Sequence, residues 1–294
     1  MPSNSNISAP VLERKFHVND MMIAAQHWGI GNKTKIIALH GWMDNSASFQ
    51  FLAPRLTDCE VIAIDMAGHG HSDHRCRHGA YNIWDDLLDI IAIADKMNWP
   101  TFTLLAHSRG SFASLLMASA VPERIEKLVM LDGILTIASE PSEAPKQLAE
   151  YLRDQRNNYQ KPSRVYPSID IAIARRVEKL GLEIEECRPL IERALEPAKA
   201  GGWQWRHDAR IAGSSAFKLT ELHQQAFLKQ MKTSSLLILA EDGFAKWPEV
   251  KVKLVEHPNI QLMQHPGCHH LHMQADQCDS IAKHIDDFLA KQIE

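Results

Sequence analysis

The five residues Ala106-His107-Ser108-Arg109-Gly110 lie between an apolar run, Phe102-Thr103-Leu104-Leu105, and a helix-like stretch, Ser111 to Ala120. A serine between two small residues, where a strand turns into a helix, restricts the fold more than any compositional figure. Such a turn demands strained backbone angles at the serine, and bulk two positions to either side would collide with neighbouring backbone. Ala106 and Gly110 meet that steric demand. The hydroxyl of Ser108 is then displayed at the top of the turn, which makes it a candidate nucleophile.

The surrounding pattern agrees with that geometry. Lys35 to Leu39 is apolar on both faces and stops at His40-Gly41; Val61 to Ile64 stops at Asp65; Leu128 to Leu131 stops at Asp132-Gly133. Runs of this kind fit strands of a parallel sheet covered by helices. Between them, Ser46–Leu56 and Ile83–Met97 carry apolar residues at helical spacing. Strand and helix patterns alternate from about residue 35 to 133, which predicts an α/β fold with a mostly parallel, doubly wound sheet. Before it, Glu13–Val18 and Met21–Trp28, divided by Asn19-Asp20, read as an edge hairpin.

The rhythm breaks after residue 133. From 134 to 232 there is no convincing buried strand, but helix-like stretches cover Lys146–Gln155, Asp170–Leu180 and Glu183–Leu195. Gly201-Gly202, followed by Trp203 and Trp205, marks a turn or junction. Strand patterns return at Ser235–Ala240 and Gln261–Gln264, and an amphipathic helix follows over Ser280–Lys291. The expected organisation is a core of residues 1–133 and 233–294, interrupted by a helical cap at 134–232. At 294 residues the chain has room for such an insertion.

Several function classes are disfavoured. Thirty-two basic against 36 acidic residues, with no single-sign run, leave no footprint for nucleic acid or for a polybasic membrane anchor. No apolar stretch approaches the roughly 20 residues that span a bilayer, and the first fifteen residues lack the apolar centre of a secretory signal. The five cysteines contain no C-x-x-C pair, so reduced thiols in a cytoplasmic protein are expected. Gly68-His69-Gly70-His71-Ser72 lacks the further glycine or Gly-Lys-Ser/Thr of nucleotide loops and reads as a supporting turn. His71, Asp73, His74 and His78 lack metal-ligand spacing. No cofactor and no metal is expected. The expected partner is a small-molecule substrate, and the expected assembly a monomer or homodimer.

A serine hydroxyl needs a base to take its proton and an acid to orient that base. His269 is the candidate base, because Gly267-Cys268-His269 turns directly beyond a strand; His270 and His272 compete with it. Two acids compete for the third role: Asp132, at a strand end, and Asp242, after the strand Leu236–Leu239. An oxyanion hole needs backbone N–H groups aimed at the developing charge. Trp42, in the loop opened by His40-Gly41, and Arg109, at the start of the helix after Ser108, are placed to supply them.

These residues resemble the serine hydrolase-like proteins of the α/β-hydrolase superfamily. His40-Gly41-Trp42-Met43-Asp44-Asn45-Ser46-Ala47-Ser48-Phe49 is similar to their His-Gly-Trp-Leu-Asp-Asn-x-x-Ser-Phe segment, and Ala67-Gly68-His69-Gly70-His71-Ser72 to their Pro-Gly-His-Gly-x-Ser loop. The resemblance implies Ser108 as nucleophile, His269 as base, and the amides of Trp42 and Arg109 as the hole. In the commoner loop of this fold a carboxylate stands where this chain has Gly243. Haloalkane dehalogenases, within the same fold, place the acid at the preceding strand end and have glycine later; that favours Asp132 over Asp242. Two departures are Ala106, where Gly is usual, and the long cationic Arg109. The implied activity is a serine esterase or related acyl hydrolase acting on a small, partly apolar ester or thioester. Carbon–carbon bond hydrolysis or cofactor-free perhydrolysis on the same triad is the alternative, and a non-catalytic ligand-binding homologue a further one. Haloalkane and epoxide chemistry, which need a carboxylate nucleophile, are disfavoured by Ser108.

Overall fold

The computed structural model describes residues 11–159, 162–246 and 257–291. Eight strands form one sheet: β1 (Leu12–Val18), β2 (Met21–Trp28), β3 (Thr34–Leu39), β4 (Cys59–Ile64), β5 (Phe102–His107), β6 (Ile125–Leu131), β10 (Ser235–Asp242) and β11 (Ile260–Cys268). Their spatial order is β1-β2-β4-β3-β5-β6-β10-β11. The six strands from β4 to β11 pair in parallel, while β1 and β2 are antiparallel. Asn19 and Asp20, at φ 48° and 60°, make the tight turn of the β1–β2 hairpin.

Parallel strands buried on both faces explain the unbroken apolar runs. Ile37, Leu39, Leu104, Ala106, Met130 and Leu239 face one side, against Ile90 and Ile93 of helix α1 (Ile83–Lys96) and Leu115 of α2 (Arg109–Ala120). Their neighbours Ile36, Ala38, Leu105, Val129, Leu131 and Ile238 face the other, against Phe49, Leu52 and the Ile281, Ile285 and Phe288 row of α7 (Cys278–Leu289). Each fully buried Leu or Ile contributes about 1.5–3 kcal/mol before conformational entropy is subtracted.

The chain passes from β3 to β4 on one side, then crosses back to place β5 on the other side of β3. Helices therefore leave in opposite directions at this point, and a crevice opens beyond the carboxyl ends of β3 and β5. Ligands of open α/β sheets bind in such crevices. Gly41-Trp42 and Ser108 lie there.

Two expectations change. The helix over Ser46–Leu56 is instead two short 3-10 turns, Ser46–Phe49 and Ala53–Arg55. Pro54 has no N–H to continue an α-helical ladder, so the segment cannot run through; Phe49, Leu52 and Leu56 are buried all the same. Between β6 and β10 there are helices α3 (Ala144–Tyr159), α4 (Ile169–Leu180), α5 (Ile184–Ala194) and α6 (Glu221–Gln230), but also a three-strand antiparallel sheet that the sequence pattern does not reveal. It is ordered β7 (Val165–Tyr166), β9 (Trp203–Trp205), β8 (Leu195–Pro197). Strands of two or three residues are too short to show an alternation. Gly201 and Gly202 turn the β8–β9 hairpin.

The segment between β6 and β10 is bound to the core by buried charge. The Arg193 guanidinium on α5 lies 2.9–3.0 Å from the carboxylate of Asp65, just past β4, and also pairs with Glu13 at 2.7 Å. Asp65 in turn accepts from the N–H groups of Ser46 and His71. Burial alone would raise the Asp65 carboxyl; Arg193 and these donors more than offset it, and the net direction is down. The loop from Gly68 to Ser72 is thus a tight turn wrapped on Asp65.

Candidate active site

The turn at Ser108 has φ 51° and ψ −115°, a strained backbone that costs of order 1–3 kcal/mol. Strand pairing on both sides of β5, with Ala106 opposite Leu39 and Met130, holds it in place. The Ser108 N–H donates to Leu131 O at 3.0 Å. A Cβ at Gly110 would overlap the Leu39 carbonyl, so only glycine lets α2 start this close to β3. Ala106 is fully buried and its methyl is accommodated.

The three expected groups meet. His269 Nε2 lies 3.0 Å from Ser108 Oγ, and His269 Nδ1 lies 2.6 Å from Asp132 Oδ2. A carboxylate only accepts, so Nδ1 carries the proton, and Nε2 presents its lone pair to the serine hydroxyl. Asp132 is fully buried at the end of β6 with φ 41°, and it accepts from the N–H groups of Ala240 and Phe244 at 2.8 and 3.1 Å. A Cβ at Gly243 would overlap its carboxylate. Gly243 is therefore the space that Asp132 fills. The other candidate acid, Asp242, points to solvent and pairs with Lys246 at 2.9 Å. Of the competing histidines, His270 Nε2 faces Asp44 at 3.2 Å, and His272 is fully buried against the Phe49 ring.

Arg109 is the first residue of α2, where helix N–H groups have no intrahelical partner. Trp42 follows β3 on the opposite side of the crevice, and its indole N–H donates to Ile211 O at 3.1 Å. Both line a cavity of about 480 Å³. Ser108 and His269 are not themselves in its lining, whereas Arg109, next to Ser108 in the chain, is. Its walls include Ile83, Phe112, Leu116, Ile137, Phe217 and Leu219. The Arg109 guanidinium is engaged by Asp86 at 2.7 Å, so its charge is balanced within the wall. Below it the His40 and His69 rings stand 4.9 Å apart, and burial holds both imidazoles below their ordinary value and neutral. His40 donates from Nδ1 to Gly41 O and accepts the Met66 N–H at Nε2, which fixes the start of the Trp42 turn.

His71, Asp73, His74 and His78 do not gather around a common point; Asp73 accepts the Met22 N–H, and His74 donates to Arg206 O. Among the described residues, the group with ligand atoms close enough for a metal is Asp44, His107 and His270. The sequence reading missed it because the three positions are spread over 226 residues of chain.

A mostly parallel sheet with a strained serine turn at its switch point, faced by a histidine from the last strand, defines an α/β hydrolase. The chain belongs to the alpha/beta hydrolase fold family, whose profile matches residues 35–274. Within it the chain is similar to a probable serine hydrolase of Drosophila melanogaster, 31% identical over 91% of this chain and 84% of that one. A serine hydrolase-like protein of Dictyostelium discoideum is 28% identical, over 93% and 80% of the two chains. In structure the chain resembles a hypothetical protein of Pseudomonas aeruginosa PAO1, with a TM-score of 0.91 and 36% identity, covering 95% of this chain and 99% of that one.

Proposed function

We propose that the protein is a serine esterase or related acyl hydrolase, acting on a small, partly apolar ester or thioester. The observation that carries this reading is the chain of contacts Ser108 Oγ to His269 Nε2 at 3.0 Å and His269 Nδ1 to Asp132 Oδ2 at 2.6 Å. Ser108 attacks the substrate carbonyl while His269 takes its proton, and the oxyanion faces the amides of Trp42 and Arg109. His269 then returns the proton to the departing alcohol or thiol. Water, deprotonated by the same imidazole, cleaves the acyl-enzyme and restores the serine. Asp132 stays ionised, and orients and stabilises the imidazolium. The apolar walls of the cavity receive the acyl chain, with residues 134–232 acting as a cap above it. About 480 Å³ is a typical size for a small-molecule site.

Turnover of p-nitrophenyl acetate, butyrate and octanoate tests the reading. Hydrolysis by the wild type and its loss of at least a thousandfold in Ser108→Ala are expected. Absence of turnover on esters and thioesters, with turnover of a carbon–carbon substrate, would replace it.

A further inference from the structure

We infer that Asp44, His107 and His270 form a binding site for one divalent late first-row ion such as Zn²⁺ or Co²⁺, directly behind the Ser108–His269 pair. The Asp44 Oδ2 atom lies 3.2 Å from His270 Nε2 and 3.6 Å from His107 Nδ1, and all three ligand atoms fall within 4.8 Å of one another. A tetrahedral ion with ligands at about 2.0–2.1 Å holds them roughly 3.4 Å apart. Two edges already match, and the third closes by small side-chain rotations. Two imidazoles and one carboxylate suit zinc or its neighbours, and leave a fourth position for water.

The hydrogen-bond pattern around His107 points the same way. Its Nε2 lies 2.8 Å from the carbonyl oxygen of His269. A carbonyl only accepts, so Nε2 carries the proton and Nδ1 turns a bare lone pair toward the Asp44 carboxylate. Two acceptors facing each other at 3.6 Å in a buried site repel unless a cation lies between them. A backbone carbonyl holding the far nitrogen is also the usual support of a ligating histidine. Among the described residues, His107 Nδ1, the ligand atom itself, is a buried nitrogen with no hydrogen-bond partner. Folded proteins seldom leave a buried polar atom without a partner.

Gly41 supplies a further reason. A Cβ there would lie 2.8 Å from both Asp44 Oδ2 and His107 Nδ1. The absence of a side chain at this glycine keeps open the space between the two ligand atoms. Asp44 lies two residues after Trp42, His107 immediately before Ser108, and His270 immediately after His269. An ion here ties together the three loops that carry the candidate hole, nucleophile and base. The site stands on its own geometry, whether or not Ser108 proves to be a nucleophile.

The test is Co²⁺ titration of protein stripped with a chelator, read by the visible ligand-field band and not by activity. The expected result is one tetrahedral Co²⁺ per chain, displaced by Zn²⁺ and weakened at least about tenfold in both Asp44→Asn and His107→Gln. Ser108→Ala and His269→Gln should retain the band. Circular dichroism establishes that each variant is folded, and the wild-type titration needs no variant. Absence of a band in the wild type overturns the proposal. A band that survives both ligand substitutions, or is lost in His269→Gln alone, also overturns it.

Discussion

At the scale of single residues, the account turns on which carboxylate serves His269. Asp132→Asn keeps the shape but removes the acceptor that fixes the Nδ1–H tautomer, so kcat should fall about 10⁴-fold. Asp242→Asn should stay within a few-fold of wild type, because that side chain reaches Lys246 and solvent. Steady-state kinetics on one ester distinguishes them, and the reverse pattern would move the acid to the later loop. Gly243→Ala forces a methyl into the Asp132 carboxylate and should lower kcat at least about tenfold while leaving KM within a few-fold. An unchanged kcat would mean that the loop yields freely. Ser108, His269 and the two competing acids could be read in the sequence, while the preference for Asp132 over Asp242 came from the family resemblance and Gly243. Each of these four residues ends or follows an apolar run, so its place in space follows from the strand it belongs to, which is why spacing alone did not separate the two acids. The partnership of Asp44, His107 and His270 was not legible, since two of its members look like fillers of the motifs beside them.

At the scale of elements, strands with apolar runs of about four or more residues could be read, because burial on two faces leaves the run unbroken. The β7–β9–β8 sheet could not, because two- and three-residue strands leave no period. Pro54 was visible in the 46–56 segment, yet the apolar spacing of Phe49, Leu52 and Leu56 looked helical. Those residues are buried through two 3-10 turns instead. The junction of α5 with the core rests on an ion pair. Arg193→Met leaves the Asp65 carboxylate buried without its cation, at a cost of about 3–5 kcal/mol. Thermal melting should show a fall of roughly 5–15 °C. A melting temperature within a degree of wild type would mean that packing, and not this pair, joins the segment to the sheet.

At the scale of the whole molecule, buried neutral histidines make the fold sensitive to acid. Burial lowers His40 and His69, and burial beside Arg176 brings His207 down to about 4. The unfolded chain binds protons on these rings below about pH 6.5, while the native state refuses them until the pH is much lower. Stability should therefore be level above pH 7 and fall as pH drops from about 6.5 toward 4. Melting temperatures between pH 8 and 5 check this, and His207→Gln should make the slope shallower. A slope unchanged by that substitution would place the proton uptake elsewhere.

The most direct measurement is mass spectrometry of the protein after reaction with a fluorophosphonate, followed by peptide mapping. The account predicts one phosphonyl group per chain on the peptide containing Ser108, absent from Ser108→Ala and at least a hundredfold slower to form in His269→Gln. An unmodified chain, or a label on another residue that persists in Ser108→Ala, would contradict it.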